Sequence, residues 1–386
     1  MVAILMSIPM IMTPGPTSVR ENVRLARAME TTNPDLDLEF YDFYKETCDK
    51  IGEFLKTKNS VRILSGEGIL GLEAACASLT EAGDRVLVLD NGVFGEGFGD
   101  FVKMYGGEPV YFKGDRKEAI NLDELTSFLQ KDSSFKYATI VHCDTPSGIL
   151  NPVQDICPLL KEKGILTVVD SVSAMGGEEL KVDSWGIDVA LGASQKCLSA
   201  PTGLSFLSIS DEAFKAMENR KTPIGSFYCN LLAWKDYYEK KWFPYTPPIS
   251  DIVGLRRAVD NILEDKEILE RHEGIANALR NAVTKAGLNL YTRNGYSNTV
   301  TVIEVPEGIN SKQLTDYILK EFNLMIAGSF DFLQGKVIRI GNMGENSTKE
   351  KIIYTLNALQ STFEYYKVNL KANMANEFIQ ALKINY

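Results

Sequence analysis

Histidine is nearly absent from the sequence, and cysteine never occurs in a close pair. There are two histidines, His142 and His272, and none of the six cysteines belongs to a C-x-x-C motif. A zinc site needs several such ligands at close spacing, so we expect no metal site. Scattered thiols are typical of packing residues in a reducing compartment. They occupy positions 48, 76, 143, 157, 197 and 229.

The sequence also lacks an excess of positive charge and a long apolar run. Its net charge of -10 disfavours nucleic acid, whose phosphates need clustered Lys and Arg, and favours a small-molecule partner. The opening MVAILMSIPMIM is too short to span a bilayer, and no basic segment precedes it. We therefore expect a cytoplasmic protein with no membrane partner, and a structured N-terminal arm over residues 1–16.

Beyond residue 60, short apolar runs rich in Val and Ile alternate with helical patterns. Such runs are typical of strands buried on both faces of a parallel sheet. The pattern predicts a large α/β domain over residues 17–250, with a mostly parallel, doubly wound sheet. The predicted strands are 85–90, 109–112, 137–143, 165–171, 187–193 and 204–210, and helical patterns end near Gly83 and near Gly164.

After Ser250 the pattern changes to apolar residues at helical spacing over residues 251–286. We expect one long helix there, connecting to a smaller α+β domain within 251–386 that has an antiparallel sheet. The predicted strands of this domain are 298–305 and 337–342, and its predicted helices are 311–322 and 347–366. The C-terminal NEFIQALKINY is amphipathic, and we expect it to dock on the body of the protein or on a partner.

Lys196 lies in DVALGASQKCLSAPTG, a run of small and apolar residues with no acidic neighbour after Asp188. A desolvated lysine has a lowered pKa and can act as a nucleophile, whereas an ordinary loop lysine is a solvated cation. In an α/β protein, a nucleophilic lysine favours an imine with pyridoxal phosphate. That cofactor needs an anion site, an acid for its ring nitrogen and a flat stacking residue.

Two segments supply the first two of these groups. SGEGILGLEAA (65–75) is a glycine-rich turn that runs into a helix, so the backbone N–H groups of Gly68 and Ile69 can bind a phosphate. Asp170 ends the apolar strand ILTVVD, at the edge where open sheets bind ligands. Helix–strand packing and helix capping are the ordinary explanations of these two features.

Three further residues complete the candidate site. Phe94, in the turn NGVFG (91–95), is the stacking candidate, although a core position would explain it equally well. Gln195 and Thr145 can hydrogen-bond the ring oxygen or the phosphate. The joint order along the chain, from phosphate turn to stacking residue to Asp170 to Lys196, indicates function more strongly than any single feature.

As a set, these motifs resemble the class V, fold type I pyridoxal-phosphate enzymes, in particular the alanine–glyoxylate and serine–pyruvate aminotransferases. The resemblance covers about residues 12–366. It is carried by TPGP (13–16), SGEGILGLEAA (65–75), NGVFG (91–95), HCDTPSGILNP (142–152), VVDSVSAMGG (168–177), GASQKCLSAPTGL (192–204), YTPP (245–248) and VIRIGNMG (337–344).

The resemblance implies a role for each matching residue. Lys196 forms the internal aldimine, Asp170 pairs with the pyridine nitrogen, and Gln195 contacts the cofactor. Gly68 and Ile69 hold the phosphate, joined by Tyr245 and Thr246 from the other subunit of a homodimer. Arg339 binds the substrate carboxylate beside the Gly15 backbone, a role that the planar guanidinium also favours on its own, against a surface ion pair.

Three positions depart from the family pattern. Glu67 stands in the phosphate turn, where many relatives have a neutral residue, and its carboxylate repels a phosphate unless it turns away or pairs with a cation. Pro146 replaces a hydroxyl residue and has no N–H donor. Phe94 replaces a Trp of some members and lacks the indole N–H. These departures indicate that the substrate need not be the family's best-known pair.

The expected reaction is ping-pong transamination from a small amino acid, alanine or serine, to a 2-oxo acid such as glyoxylate or pyruvate. Aminotransferases of aminoethylphosphonate or ureidoglycine are the near alternatives, and a lyase of the cysteine desulfurase type is a more distant one. A dinucleotide-binding oxidoreductase would use GEGILG as its dinucleotide turn, but no strand of βαβ type clearly precedes that turn with an acidic residue about 20 residues further on at a strand end. A non-catalytic binding protein is the remaining alternative. We expect His142 to be a packing residue and His272 to be exposed.

Overall fold

The structure is a computed structural model that describes residues 8–384. Its strands are β1 (Met10–Ile11), β2 (Ser60–Ser65), β3 (Arg85–Asp90), β4 (Glu108–Lys113), β5 (Tyr137–Val141), β6 (Cys143–Asp144), β7 (Ile149–Leu150), β8 (Leu166–Asp170), β9 (Val189–Ala193), β10 (Leu204–Ile209), β11 (Val300–Glu304), β12 (Leu324–Met325) and β13 (Val337–Gly341).

Its helices are α1 (Glu21–Arg27), α2 (Leu38–Phe54), α3 (Gly68–Leu79), α4 (Val93–Met104), α5 (Leu122–Lys131), α6 (Val153–Lys161), α7 (Asp211–Glu218), α8 (Ile249–Glu264), α9 (Ile268–Lys285), α10 (Ser311–Phe322), α11 (Lys349–Tyr365) and α12 (Met374–Ile384). Within residues 8–384, no helix combines the length and the apolar content needed to cross a bilayer.

Seven strands form the central sheet, in the order β2-β10-β9-β8-β5-β3-β4. The pairs among β3, β4, β5, β8 and β9 are parallel, and β10 is antiparallel to both of its neighbours. Strands β5, β9 and β10 are buried along their whole length, as their continuous apolar runs predict. The predicted α/β fold with a mostly parallel sheet is therefore confirmed.

Apolar side chains form two main cores. One extends over Val23–Ile262 and packs helices on the central sheet. The other joins Met12 to buried residues between Ile275 and Ala381, around the antiparallel pair β11–β13. The predicted domain limits, 17–250 and 251–386, stay predictions.

The prediction of one long helix over 251–286 is wrong. Helix α8 ends before Asp265, whose backbone is extended, and α9 begins three residues later. The Asp265 side chain accepts from the Glu267 N–H and pairs with Arg271 at 2.6 Å. These bonds stabilise a turn that the continuous helical pattern of the sequence conceals.

The glycine-rich turn follows a strand, β2, which ends three residues before α3. Strand β2 is not part of a parallel βαβ unit, because its one neighbour in the described sheet is the antiparallel β10. Arg62 interrupts its apolar pattern. The Arg62 side chain is nevertheless buried, because it donates to the carbonyl oxygens of Val61, Trp234 and Lys235. Pairing with backbone acceptors satisfies the guanidinium inside the fold.

His272 is buried, which contradicts the prediction that it is exposed. Its Nε2 accepts from the Gly344 N–H at 3.0 Å, and its Nδ1 lies 2.6 Å from the Ile268 carbonyl oxygen. Burial lowers the pKa of His272 to about 4, so the ring stays neutral and can accept this bond. His142 is buried against Trp185, in keeping with the packing role predicted for it.

The first and last described segments of the chain pack on its body. Residues 1–7 of the predicted arm lie outside the described residues. The rest of the arm forms β1, which pairs with β12, and the Gly341 N–H donates to the Met12 carbonyl. The C-terminal α12 packs against α9 and α11, whereas residues 385 and 386 lie outside the described part of the chain.

The Tyr44 hydroxyl is expected to stabilise the sheet edge. It donates to the Ile63 carbonyl on β2 at 2.8 Å and accepts from the Ile63 N–H at 2.9 Å. Tyr44→Phe keeps the ring but leaves both buried groups unpaired, so we expect a loss of about 1–3 kcal/mol in the free energy of unfolding, measured by urea denaturation. Tyr238→Phe, whose hydroxyl meets Asp42 at the surface, is the control and should change stability by no more than about 0.5 kcal/mol.

Candidate active site

One cavity of about 260 Å³ lies where the parallel strands end, the edge at which open α/β sheets bind ligands. Asp170 ends β8, Lys196 follows β9, and Phe94 follows β3 at the start of α4. The cavity is lined by Pro14, Gly15, Pro16, Glu67, Gly68, Ile69, Leu72, Phe94, Thr145, Asp170, Val172, Ser173, Gln195, Lys196, Phe330 and Arg339. Nine predicted site residues are thus brought together.

Lys196 is held beneath the N-terminal arm. Its Nζ donates to the Pro14 carbonyl at 2.6 Å, while the Thr17 hydroxyl donates to the Lys196 carbonyl at 2.9 Å. Burial, reinforced by the positive charge of Arg339, lowers the pKa of Lys196 to about 8. A substantial fraction of the amine is therefore neutral near physiological pH, as a nucleophile or general base requires.

Gly15 lets the arm approach this lysine closely. Its φ is +101°, and a Cβ built there would lie 2.5 Å from Lys196 Cδ. A side chain at this position would have to displace the lysine, and the backbone conformation itself favours glycine. The predicted place of Gly15 beside the site thus has a steric reason.

Asp170 lies inside the cavity wall with little exposure to solvent. The Val172 N–H donates to its Oδ1 at 2.9 Å. Burial raises the pKa of Asp170 to about 7, against the lowering effects of that bond and of the Lys196 charge. A carboxyl group so withdrawn from water is suited to pair with a cationic ring nitrogen, which would restore its ordinary ionisation.

Arg339, on β13, reaches the opposite side of the cavity. Its Nε donates to the Gly328 carbonyl at 2.6 Å and its Nη1 to the Thr145 carbonyl at 3.1 Å, so neutral acceptors fix the guanidinium plane. No described residue forms an ion pair with it. A buried cation without a carboxylate partner is suited to bind the carboxylate of a ligand.

The phosphate turn has a different arrangement from the predicted one. Glu67 caps α3 with its own side chain, and the Ile69 N–H donates to Glu67 Oε1 at 3.0 Å. Gln195 Nε2 donates to the other carboxylate oxygen at 3.1 Å. One of the two N–H groups predicted to hold a phosphate is therefore bonded to a carboxylate of the protein itself.

Gln195 has one amide atom to spare. Its Oε1 is buried without a hydrogen-bond partner among residues 8–384. Since buried acceptors are normally paired, this oxygen is suited to accept from a ligand donor. The predicted contact between Gln195 and a bound ring stays a prediction.

Phe94 is held at the cavity by its own backbone, whose N–H donates to Asp144 Oδ1 at 3.2 Å. Gly92 must be glycine for this contact, because a Cβ there would lie 2.4 Å from the Asp144 carboxyl carbon. The Phe94 ring lines the same cavity as Val172, and together they could hold a flat ring between them.

Two predicted site residues lie elsewhere. Tyr245 packs in an aromatic cluster with Tyr228 and Trp234, and Thr246 donates weakly to Asp35 at 3.4 Å. Neither lines the cavity within one chain. The Tyr245 hydroxyl is buried and has no partner among the described residues. Their predicted action in the site of a second subunit stays a prediction.

Sequence reasoning missed the apolar wall of the cavity. Leu72, Val172 and Phe330 line it, and none of them belongs to a pattern that separates a site residue from a core residue. Val172 could have been found from its position, two residues beyond Asp170. Phe330 lies in an irregular loop with no periodicity.

The family model described as Aminotransferase class-V matches residues 22–328. The pyridoxamine–pyruvate transaminase of Mesorhizobium japonicum is 31% identical over 90% of this chain and 90% of its own. The alanine–glyoxylate aminotransferase of Drosophila melanogaster is 29% identical, with 95% of each chain covered. The crystal structure of ureidoglycine–glyoxylate aminotransferase from Bacillus subtilis matches with a TM-score of 0.94 at 28% identity, covering 99% of this chain and 100% of that one.

The lowered pKa of Lys196 predicts a pH dependence. Only the neutral amine reacts with an acylating reagent, so acetylation of Lys196 should rise with pH through a midpoint near 8. We would follow it by mass spectrometry in protein freed of bound carbonyl compounds. Lys103 is the control, because Tyr111 raises its pKa, and its midpoint should lie well above that of Lys196. Equal midpoints for the two lysines would contradict the prediction.

Proposed function

The chain belongs to the class V aminotransferases, and on this premise we propose that it exchanges an amino group between a small monocarboxylic amino acid, alanine or serine, and a 2-oxo acid such as pyruvate or glyoxylate. Transamination with pyridoxal 5'-phosphate is common to the family, so the predicted enzyme class and cofactor are confirmed. The choice of substrate is the proposal.

One observation carries this proposal: the side chains of Lys196, Asp170 and Arg339 line the same cavity. The bound aldehyde would supply the electron sink and carry the amino group. Arg339 would bind the substrate carboxylate and so orient its Cα–H bond. The neutral Lys196 amine would take the proton from the substrate Cα and donate it to the cofactor carbon that carries the transferred nitrogen.

Asp170 would keep the ring nitrogen protonated. Its buried carboxylate, fixed by the Val172 N–H, would be stabilised by the positive nitrogen, and the nitrogen in turn by the carboxylate. Gly15 and the arm would limit the entry of water above the lysine. Each role follows from where the chain holds the side chain.

Of the predicted alternatives, the phosphonate donor fits the cavity less well. A phosphonate donor would need cations besides Arg339, but the cavity lining of the described residues contains only Arg339 and Lys196. A solved cysteine desulfurase shares the fold at 16% identity, and this likeness extends to the fold alone. Ureidoglycine has one carboxylate, as alanine does, and the charges of the cavity do not separate the two.

Glu67 favours a second candidate, in which the vitamin B6 compound is itself a substrate and lacks the phosphate. Both a carboxylate and a phosphate accept hydrogen bonds, and their negative charges repel. A hydroxymethyl group would instead donate to Glu67 and accept from Gln195. The relative from Mesorhizobium japonicum is named for pyridoxamine and pyruvate. In such a reaction, pyridoxamine and pyruvate would give pyridoxal and alanine.

A homodimer and a cytoplasmic location also stay predictions. The unpaired Tyr245 hydroxyl and the exposed Phe227 and Tyr228 rings beside it support a second subunit at this face. Such a subunit would bury apolar surface that one chain leaves exposed.

Arg339→Leu tests whether Arg339 binds the substrate carboxylate, a role called the carboxylate clamp below. We expect kcat/KM for alanine to fall by roughly 30-fold or more, equivalent to about 2–5 kcal/mol, because a buried charge pair is lost. The measurement is the half-reaction with alanine, followed by visible absorbance. Arg27→Leu, which removes only a surface pair with Asp251, is the control.

Lys196→Ala should abolish turnover, and full activity in that variant would refute the proposal.

The role of Glu67 is tested by comparing pyridoxal with pyridoxal 5'-phosphate. After borohydride reduction, mass spectrometry measures how much of each is fixed on Lys196. The second candidate predicts that the wild type binds pyridoxal at least about tenfold more tightly than pyridoxal 5'-phosphate, since like charges disfavour the phosphate, whereas the first proposal predicts the opposite preference. On the second candidate, Glu67→Ser should reverse the preference for pyridoxal, and Glu67→Gln, which removes charge at constant size, separates repulsion from bulk.

Tight binding of pyridoxal 5'-phosphate by the wild type, with no gain in Glu67→Ser, would reject the second candidate. It would leave the first proposal in place, because the clamp and the lysine do not depend on the phosphate end.

A further inference from the structure

Phe330 occupies the part of the cavity wall that neither the cofactor motifs nor the clamp accounts for. It lines the same cavity as Lys196 and Arg339, and 44% of its surface is exposed. The ring therefore stands at the mouth of the cavity, with one side turned inward.

Two contacts place the Phe330 ring between the clamp and the stacking residue. The Arg339 guanidinium carbon lies 5.6 Å from the ring centroid. The Phe94 ring meets Phe330 edge to face, with centroids 6.1 Å apart at 79°. A substrate carboxylate bound to Arg339 would therefore direct the neighbouring Cα substituent into a space bounded by two aromatic rings.

The loop that carries Phe330 is fixed on both sides. The Ser329 hydroxyl donates to the Pro146 carbonyl at 3.3 Å, and the Leu333 N–H donates to the Phe330 carbonyl at 3.2 Å. Leu333 is buried. Phe332, two residues on, packs instead on the Arg116 guanidinium, 5.0 Å from its ring centroid. These contacts fix the position of Phe330 in the cavity wall.

Within one chain, the charges that the described residues bring to the cavity leave no partner for a second carboxylate. Among the described residues that line it, the cations are Lys196 and Arg339 and the carboxylates are Glu67 and Asp170. Arg339 is needed for the α-carboxylate, and Lys196 faces the reacting carbon. A side-chain carboxylate would meet aromatic carbon and lose its hydration without compensation.

We propose that Phe330 is a specificity-determining residue: with Phe94 it restricts the substrate to monocarboxylic amino acids with a small, uncharged side chain, and it excludes dicarboxylic ones. The inference rests on the proposed transamination and names its substrate class. Phe330 would thus select the amino acid by its side chain, whereas Glu67, at the other end of the site, would select the vitamin B6 compound.

The test compares kcat/KM for alanine, 2-aminobutyrate, norvaline and aspartate in the half-reaction. Phe330→Ala opens the wall, and the two longer substrates should gain about tenfold relative to alanine, the scale on which a pocket discriminates a methylene group. Phe330→Arg supplies the missing cation, and aspartate should gain at least about tenfold relative to alanine. Phe332→Leu, on the same loop but against Arg116, should keep the wild-type ratios.

The outcomes separate this inference from the proposed function. A wild type that accepts aspartate as well as alanine, or Phe330 variants that keep the wild-type ratios while still transaminating alanine, would overturn the inference alone. A wild type that transaminates none of the four amino acids would overturn the proposed function, and this inference with it. Borohydride trapping of pyridoxal 5'-phosphate or of pyridoxal, whichever the wild type binds, on Lys196 in each variant shows that its site is intact.

Discussion

The site depends on a lysine that is withdrawn from water and forms no ion pair with a carboxylate of the described residues. Burial lowers the pKa of Lys196 to about 8 and raises that of Asp170 to about 7. The two shifts have one main cause, the loss of hydration. They bring the pKa values of the two groups, which ordinarily differ widely, close to each other. Around neutral pH, a small change in local charge, such as a bound carboxylate at Arg339, can therefore move protons within the site.

The fold creates this environment by joining distant segments. Asp170 and Lys196 lie at or just beyond strand ends. The N-terminal arm shields the lysine from water, because the Pro14 carbonyl accepts a hydrogen bond from Lys196 and Gly15 packs against it. Backbone bonds from Met12 to Met325 and Gly341 tie the arm to the C-terminal part of the chain that also carries Arg339. The lysine and the clamp thus share one support, and the distance between them is set by sheet and arm together.

Much of this arrangement could be predicted from the sequence, and the failures have physical reasons. Apolar runs such as that of β8 identify buried strands because burial on both faces requires them, and the order of motifs along the chain identifies the cavity. The break at Asp265 depends on side-chain bonds to Arg271 and to a backbone N–H, which periodicity does not register. His272 is buried because a backbone N–H from a remote loop needs an acceptor. Phe330 has no signature, since an irregular loop places it.

Glu67 shows how one residue changes the chemistry of a common element. The N-terminus of α3 offers N–H groups to an anion, and it can be satisfied by a ligand or by the protein's own side chain, but the Ile69 N–H cannot fully serve both. With Glu67 as cap, the helix end presents a carboxylate to the cavity in place of a donor. The polarity of that end is inverted: it favours a ligand group that donates a hydrogen bond. Arg339 binds the Gly328 and Thr145 carbonyls and not Glu67, so selection at this end can change while the carboxylate clamp is kept. Gln195 donates to Glu67, so the ring contact of Gln195 would change with it.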